Sequence, residues 1–229
     1  MTRIHPAAAH LVKADPAFRR VVEAHQAMEL RPEADSAFES LLSAIVSQQL
    51  AGAAARTIHG RVVAVLGGVV APESVLSAQP EALRGAGLSG NKLAAITDLA
   101  AKFIDGTVPI HDFDELSDDE IVERLVQVRG VGRWTAEMFL LFQLRRPDVW
   151  PVGDLGVRYG WGRIHDMVTP PTAKELGALG DVLRPHRSAA AWYCWRAMEP
   201  APMDVAAKPE RKSATAAGRQ PPSRPKPAK

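Results

Sequence analysis

Three groups of residues in this 229-residue chain have types and spacings that could do chemistry. The first is Gly130-Val131-Gly132, placed directly before a helix that starts at Arg133. A residue without a Cβ can adopt positive φ and lets the backbone come close to whatever lies outside. The helix N-terminus that follows adds unpaired N–H groups and the positive end of the macrodipole. Together they make a clamp for a phosphate, with the Thr135 hydroxyl, Arg133 and Lys92 as further candidate contacts. The same residues equally suit an αα-hairpin whose glycines only turn the chain, with two ordinary solvated cations nearby. The second group is Asp154, which follows Pro151-Val152-Gly153 and opens the next helix. An aspartate there is an N-cap, yet a cap bond to one oxygen leaves the other free for a developing positive charge. The third group is aromatic: Trp134, and the cluster Trp192-Tyr193-Cys194-Trp195. An indole face attracts a cation and stacks on flat rings. Because successive helical residues point about 100° apart, Trp192 and Tyr193 cannot both share the face of Trp195. Packing in the core is the competing role for each aromatic.

The elements that would position these groups read as helices throughout. Residues 1–13 carry no strong pattern, and Asp15-Pro16 opens a helix to about His25. A loop through Arg31-Pro32 leads to Ser36-Ala-Phe-Glu39, a capping box for a helix to about Leu50 with Phe38, Leu41, Leu42, Ile45 and Val46 on its buried side. A helix from about Ala53 to Leu66 follows, then short helices opened by Pro72 and Pro80, and one running from the glycine-rich turn before Lys92 to about Asp105. Ser117-Asp-Asp-Glu120 caps the first helix of the hairpin, Arg133 to about Leu144 is the second, and Asp154 begins a helix to about Ile164. Thr172-Ala-Lys-Glu175 caps a helix to about Leu183, and a last helix spans Arg187 to Met198. No stretch sustains the period-two alternation of a strand, so the fold class is all-α.

With these elements in place, "VRGVGRWTAEMFLLF…DVWPVGD" resembles the helix-hairpin-helix and Gly/Pro-Asp signature of base-excision DNA glycosylases, and within them the 3-methyladenine DNA glycosylase II branch. The resemblance covers roughly Ser36 to Arg196. It implies a two-lobed helical fold (lobes roughly 36–110 and 111–200, plus the N-terminal helix) that removes alkylated purines such as 3-methyladenine and 7-methylguanine from double-stranded DNA by base flipping. It implies Asp154 as the catalytic carboxylate beside C1′. Lyase-active relatives carry a lysine at the position of Trp134, as the nucleophile that forms a Schiff base. Tryptophan cannot form that imine, so the resemblance implies a monofunctional hydrolase. Trp134 and Trp195 are then walls of the base pocket, with Trp192 and Tyr193 as neighbours. "Ile45-Val-Ser-Gln48-Gln49-Leu50" resembles the family's I-x-x-Q motif, which makes Gln49, or else Leu50, the wedge that fills the gap left by the flipped nucleotide; the bland alternative is a polar helix end, with Gln48 tying the loop to backbone. The carbonyls of Val126, Val128 and Val131 are implied ligands of a potassium or sodium ion bridging to DNA. No other cofactor is expected.

Composition narrows the rest. One cysteine, Cys194, excludes an internal disulfide and the four-cysteine iron–sulfur cluster of the endonuclease III relatives. Residues 201–229 hold seven basic and two acidic side chains, whereas residues 1–200 hold 21 and 24. The body is therefore not broadly basic, and DNA would be held by local geometry, with a disordered Pro/Ala/Lys/Arg tail adding long-range attraction. About 35 residues precede the first matching helix, too few for the β-rich domain some bacterial members carry. No signal-peptide pattern or long apolar run is present, so the expectation is a cytoplasmic monomer, nucleoid-associated if bacterial, with no membrane contact and no obligate protein partner. Two rivals remain open: a mismatch or oxidised-base glycosylase of the same superfamily, and a non-catalytic helix-hairpin-helix module that only grips phosphates.

Overall fold

In a computed structural model of the chain the described residues are 6–25, 36–109 and 112–199, and every regular element among them is helical. The sequence readings of residues 201–229 as a tail and of the Arg31-Pro32 loop fall outside the described residues. The chain opens with α1 (Pro6–Ala14), a 3-10 turn at Pro16–Phe18 and α2 (Arg19–Ala24). Helices α3 (Ala37–Ser47), α4 (Gly52–Val65), α5 (Pro72–Ser77), α6 (Pro80–Gly85) and α7 (Gly90–Ile104) pack chiefly on one another. Then come α8 (Asp118–Leu125) and α9 (Arg133–Phe142), which form the hairpin pair, and α9 also touches α3. The set closes with α10 (Leu155–Ile164), α11 (Ala173–Leu179), a 3-10 turn at Gly180–Leu183 and α12 (Arg187–Met198). Helices α1 and α2 join α12 rather than the first group. The described residues make one compact unit, and a continuous apolar core runs from Leu11 and Phe18 through Leu41, Leu99 and Leu140 to Tyr193. No helix among the described residues is long and apolar enough to cross a membrane.

Helix starts follow the capping chemistry of the sequence. Ser117 and Thr172 each form a reciprocal capping box, with Glu120 and Glu175. Ser36 accepts from the Glu39 N–H at 3.1 Å and sends the predicted face of α3 into the core. Helix α1 is a correction, since residues 1–13 carry no strong pattern. Its buried face is Ala7, Ala8 and Leu11, too small an apolar stripe to read in the sequence.

The packing that matters for the site joins α10 to α12. A Cβ at Gly160 would lie 2.0 Å from the Cys194 carbonyl oxygen, so only glycine lets the two backbones meet. The N-terminal segment is pinned to the same pair: His165 Nε2 lies 2.7 Å from the Asp15 carboxylate, and its ring stacks on Trp161 with centroids 4.1 Å apart.

Candidate active site

Asp154 stands at the N-cap of α10, and its carboxylate gathers three N–H donors. Oδ1 accepts from the Val157 amide at 2.8 Å and from the Trp195 indole at 3.0 Å; Oδ2 accepts from the Trp134 indole at 2.6 Å. The residue is 9 % exposed, and Trp134 above it is 51 % exposed, so the acid is shielded but not sealed. Two aromatic side chains 61 residues apart in sequence thus meet on one carboxylate. Three bonds of this kind fix the orientation of the carboxylate, which still has acceptor capacity to spare. Phe142 completes the wall by stacking on Trp195, centroids 5.7 Å apart and planes at 22°.

The local sequence explains how this geometry is held. A Cβ on Gly156 would sit 2.8 Å from the Trp195 ring and 3.0 Å from Asp154 Oδ1, so the indole reaches the acid across a missing side chain. Upstream, Trp150 donates to the Leu176 carbonyl at 2.9 Å and lies against Gly180, where a Cβ would come within 2.2 Å of the indole nitrogen. Ser188 accepts from the Val149 N–H at 2.9 Å and donates to the Arg146 carbonyl at 2.5 Å. Asp148 takes Arg187 Nε at 2.8 Å and Arg184 Nη1 at 2.6 Å. Burial alone would raise the Asp148 carboxyl, but the bonds and charges of Arg187 and Arg184 hold it below its ordinary range. The segment Arg184–Ser188 therefore clamps the strand of loop that delivers Asp154.

Two of the aromatic expectations need correction. Tyr193 is 2 % exposed and belongs to the core, and burial raises its phenol. Trp192 is half-buried, meets Tyr193 edge-on and carries the Arg196 guanidinium 5.2 Å from its ring centroid; no bond joins it to Asp154. Of the cluster, Trp195 is the residue whose indole bonds the acid.

The hairpin lies where the sequence put it, with its two glycines in different roles. Gly130 has φ +76°, a left-handed conformation that favours glycine. Gly132 has an ordinary φ of −93°, and a Cβ there would meet nothing within 4 Å; this glycine leaves the surface open. The first bond of the α9 ladder runs from Ala136 N to Gly132 O, so the amides of Arg133, Trp134 and Thr135 precede it. Thr135 is buried, so its position offers chiefly an N–H rather than the outward hydroxyl expected. Arg133 bonds Glu137 at 3.0 Å, 3.9 Å from Asp119, while its side chain stays 65 % exposed. Burial raises the Glu137 carboxyl, Arg133 opposes that, and the Asp154 charge adds to it.

Lys92 is the clearest correction. Its Nζ donates to the carbonyls of Val46 and Gln48, each at 2.7 Å, so the ammonium is spent on backbone rather than offered to phosphate. At the end of α3, Gln49 is exposed with φ +58°, and Leu50 is half-buried. Of the two wedge candidates Gln49 is the one presented outward. Val126 is exposed, whereas the side chains of Val128 and Val131 are buried, and the Val128 carbonyl already accepts from Val131 N–H at 3.0 Å. A polar cavity of about 440 Å³ opens beside α8 and α9, lined by Arg133, Glu137, Asp118, Asp148 and Arg187. Asp154 is not in its lining, and its charges are matched internally.

Comparison with known proteins now bears on this geometry. The sequence profile of the HhH-GPD superfamily of base excision DNA repair proteins matches residues 42–185, which contain the hairpin, Trp134 and Asp154. The chain belongs to this superfamily. It is similar to DNA-3-methyladenine glycosylase 1 of Schizosaccharomyces pombe, with 33 % identity over 92 % of this chain and 95 % of that protein. It is also similar to the DNA-3-methyladenine glycosylase of Saccharomyces cerevisiae, 33 % identical over 69 % of this chain and 56 % of that one. Among solved structures, the S. pombe 3-methyladenine DNA glycosylase in complex with abasic DNA superposes with a TM-score of 0.73 at 34 % identity, covering 84 % of this chain and 96 % of that one. A DNA-3-methyladenine glycosidase from Bacillus halodurans gives 0.76 at 33 % identity, covering 84 % and 89 %.

Within this HhH-GPD member, sequence reading missed Phe142, Gly156 and Asp98, whose Oδ2 accepts the hairpin amide of Arg129 at 2.7 Å. Gly156 left a signal. Glycines at 156, 160 and 162 inside one helix cost about 1 kcal/mol each in propensity, which demands a close approach in return. Phe142 and Asp98 left none, because an apolar residue at a helix end and an aspartate on a helix have many ordinary uses.

Proposed function

We propose that this superfamily member is a monofunctional DNA glycosylase that hydrolyses the N-glycosidic bond of alkylated purines, of the 3-methyladenine and 7-methylguanine type, in double-stranded DNA. The observation that carries the reading is the convergence of Trp134 and Trp195 on the Asp154 carboxylate. Alkylation at a ring nitrogen makes the purine cationic, so it departs without prior protonation. The C1′–N bond breaks with its electron pair left on the base, and positive charge builds on the sugar. An oriented carboxylate at that point stabilises the charge and is worth most where water is excluded. Water then bonds to C1′ and its proton passes through Asp154 to solvent. The indoles that hold the acid also offer electron-rich faces to a cationic flipped base, an attraction of about 1–3 kcal/mol. Since position 134 is tryptophan, no amine is placed there for imine formation with the sugar.

The hairpin amides of Gly130 and Gly132, with those of Trp134 and Thr135 at the start of α9, would take one backbone phosphate, and Arg133, mostly exposed, a neighbouring one. Gln49 would fill the space vacated by the flipped nucleotide. The carbonyls of Val126, Val128 and Val131 are hard oxygen donors of the kind a potassium or sodium ion takes; such an ion would neutralise phosphate charge, and the proposed chemistry does not pass through it. The enzyme would act as a monomer.

The test is incubation of the whole protein with duplex DNA treated with a methylating agent. The proposal expects free methylated purine, strands that stay intact until alkali is added, and no covalent adduct on borohydride treatment. Release confined to mismatched or oxidised bases, or a trapped adduct with strand cleavage, would overturn it.

A further inference from the structure

The end of α3, α7 and the glycine hairpin are joined by three side chains, and the join has a consequence for base flipping. Helix α3 stops at Ser47, leaving its last carbonyls without helical partners. Lys92, on α7, places its ammonium 2.7 Å from both Val46 O and Gln48 O, where a cation at a helix C-terminus is favoured. Burial lowers the Lys92 pKa, the mark of a partly desolvated ammonium. The Gln48 side chain then crosses to the hairpin and donates to Gly130 O at 3.0 Å. One residue earlier in the hairpin, the Arg129 N–H donates to Asp98, which also stands on α7. Gln49 sits between these ties with φ +58°, a conformation a non-glycine residue keeps only when its surroundings impose it. The imposed points are the residues just before it.

We propose that Lys92 is a positioning residue for insertion of Gln49: it holds the backbone from which the wedge projects and, through Gln48, locks that backbone to the phosphate-gripping hairpin. A phosphate seated on the hairpin then sets the wedge at a fixed offset along the strand. The inference rests on the glycosylase reading above. It predicts that Lys92 matters for extruding a paired base and hardly matters once the base is already unpaired.

The experiment compares single-turnover release of 7-methylguanine placed opposite cytosine with release of the same lesion opposite a tetrahydrofuran spacer, where it has no pairing partner. Lys92→Met should lower the rate about tenfold on the paired duplex, the loss expected from deleting charge-assisted hydrogen bonds. On the unpaired lesion the same variant should stay within about threefold of wild type, since no extrusion is required of the wedge. Lys92→Arg should recover most of the paired rate. Gln48→Met, which cuts the tie to Gly130, should reproduce the same selective loss, and it decides the question alone if Lys92→Met does not fold. Equal losses on both substrates, or an unchanged paired rate, would overturn the inference while leaving the glycosylase reading intact. A wild-type enzyme inactive on both substrates would overturn that reading instead.

Discussion

Where α10 meets α12 beside Asp154, the contact is set by side chains left out: Gly160 lets α10 rest on the Cys194 carbonyl, and Gly156 lets the Trp195 indole reach the acid. At the hairpin and the α3 end the chain is positioned by side chains added: Gln48, Lys92 and Asp98 reach backbone groups of neighbouring segments. Backbone contact between helices is stiff, because close-packed atoms cannot be compressed. Side-chain bonds instead tie two segments at a set spacing without filling the space between them. The difference fits the two tasks. A carboxylate facing a developing charge loses its effect when displaced by an ångström, whereas a wedge and a phosphate grip need a set spacing between two segments with their outer faces left open to the duplex.

The largest effect is expected at Gly160. Helix propensity alone says Gly160→Ala should stabilise by up to about 1 kcal/mol. The 2.0 Å approach to Cys194 O says the opposite, and overpacking against backbone sets the expected loss at about 3 kcal/mol in urea denaturation. A neutral or stabilised variant would show that the α10–α12 contact is not rigid. Next in size is Asp148, which holds the loop that delivers Asp154. Asp148→Asn should cost about 2 kcal/mol at pH 7, as for hydrogen bonds to a charged group. Its carboxyl is held below the ordinary range by Arg187 and Arg184 against the effect of burial, so its contribution is complete above that range. It is lost as pH falls through the folded value, and the gap between wild type and variant should close from about pH 4 downward. A gap that persists at acid pH would assign the loss to packing instead.

Gly156→Ala sharpens the same comparison from the site's side. The atoms in the way are the Trp195 ring and a carboxylate oxygen, which can move, rather than backbone. Stability should therefore change little, while single-turnover base release falls about tenfold as the indole leaves the acid. The smallest effect is expected at Gly60, where an added Cβ meets nothing within 4 Å. Gly60→Ala should stabilise by about 0.7 kcal/mol through reduced unfolded-state entropy, which sets Gly156 and Gly160 apart from it.

How much of this was legible in the sequence follows from where each signal resides. Helix starts at Ser36, Ser117 and Thr172 were legible because capping is local, and α12 has the predicted bounds, Arg187 to Met198. Asp154 and Trp134 were legible because the hairpin and the Pro-Val-Gly-Asp turn lie within one short stretch. Helix α1 was not, since an alanine face carries little hydrophobic contrast. Lys92 was misjudged as a phosphate contact because its carbonyl partners are 46 and 44 residues away, beyond any local pattern. The assignment of Tyr193 to the pocket failed for a related reason: residue type and helical phase narrow the face of Trp195 to one neighbour but do not say which direction is the core.

The central claim is that the carboxylate held by Trp134, Trp195 and the Val157 amide stabilises the charge on C1′. Asp154→Asn tests it most directly, because asparagine keeps a cap acceptor for α10 while removing the charge. The account predicts that single-turnover release of methylated purine falls at least about a hundredfold, with the fold and binding to undamaged duplex retained and stability lower by about 1–2 kcal/mol as one N–H donor loses its carboxylate acceptor. Release within a few-fold of wild type would contradict it.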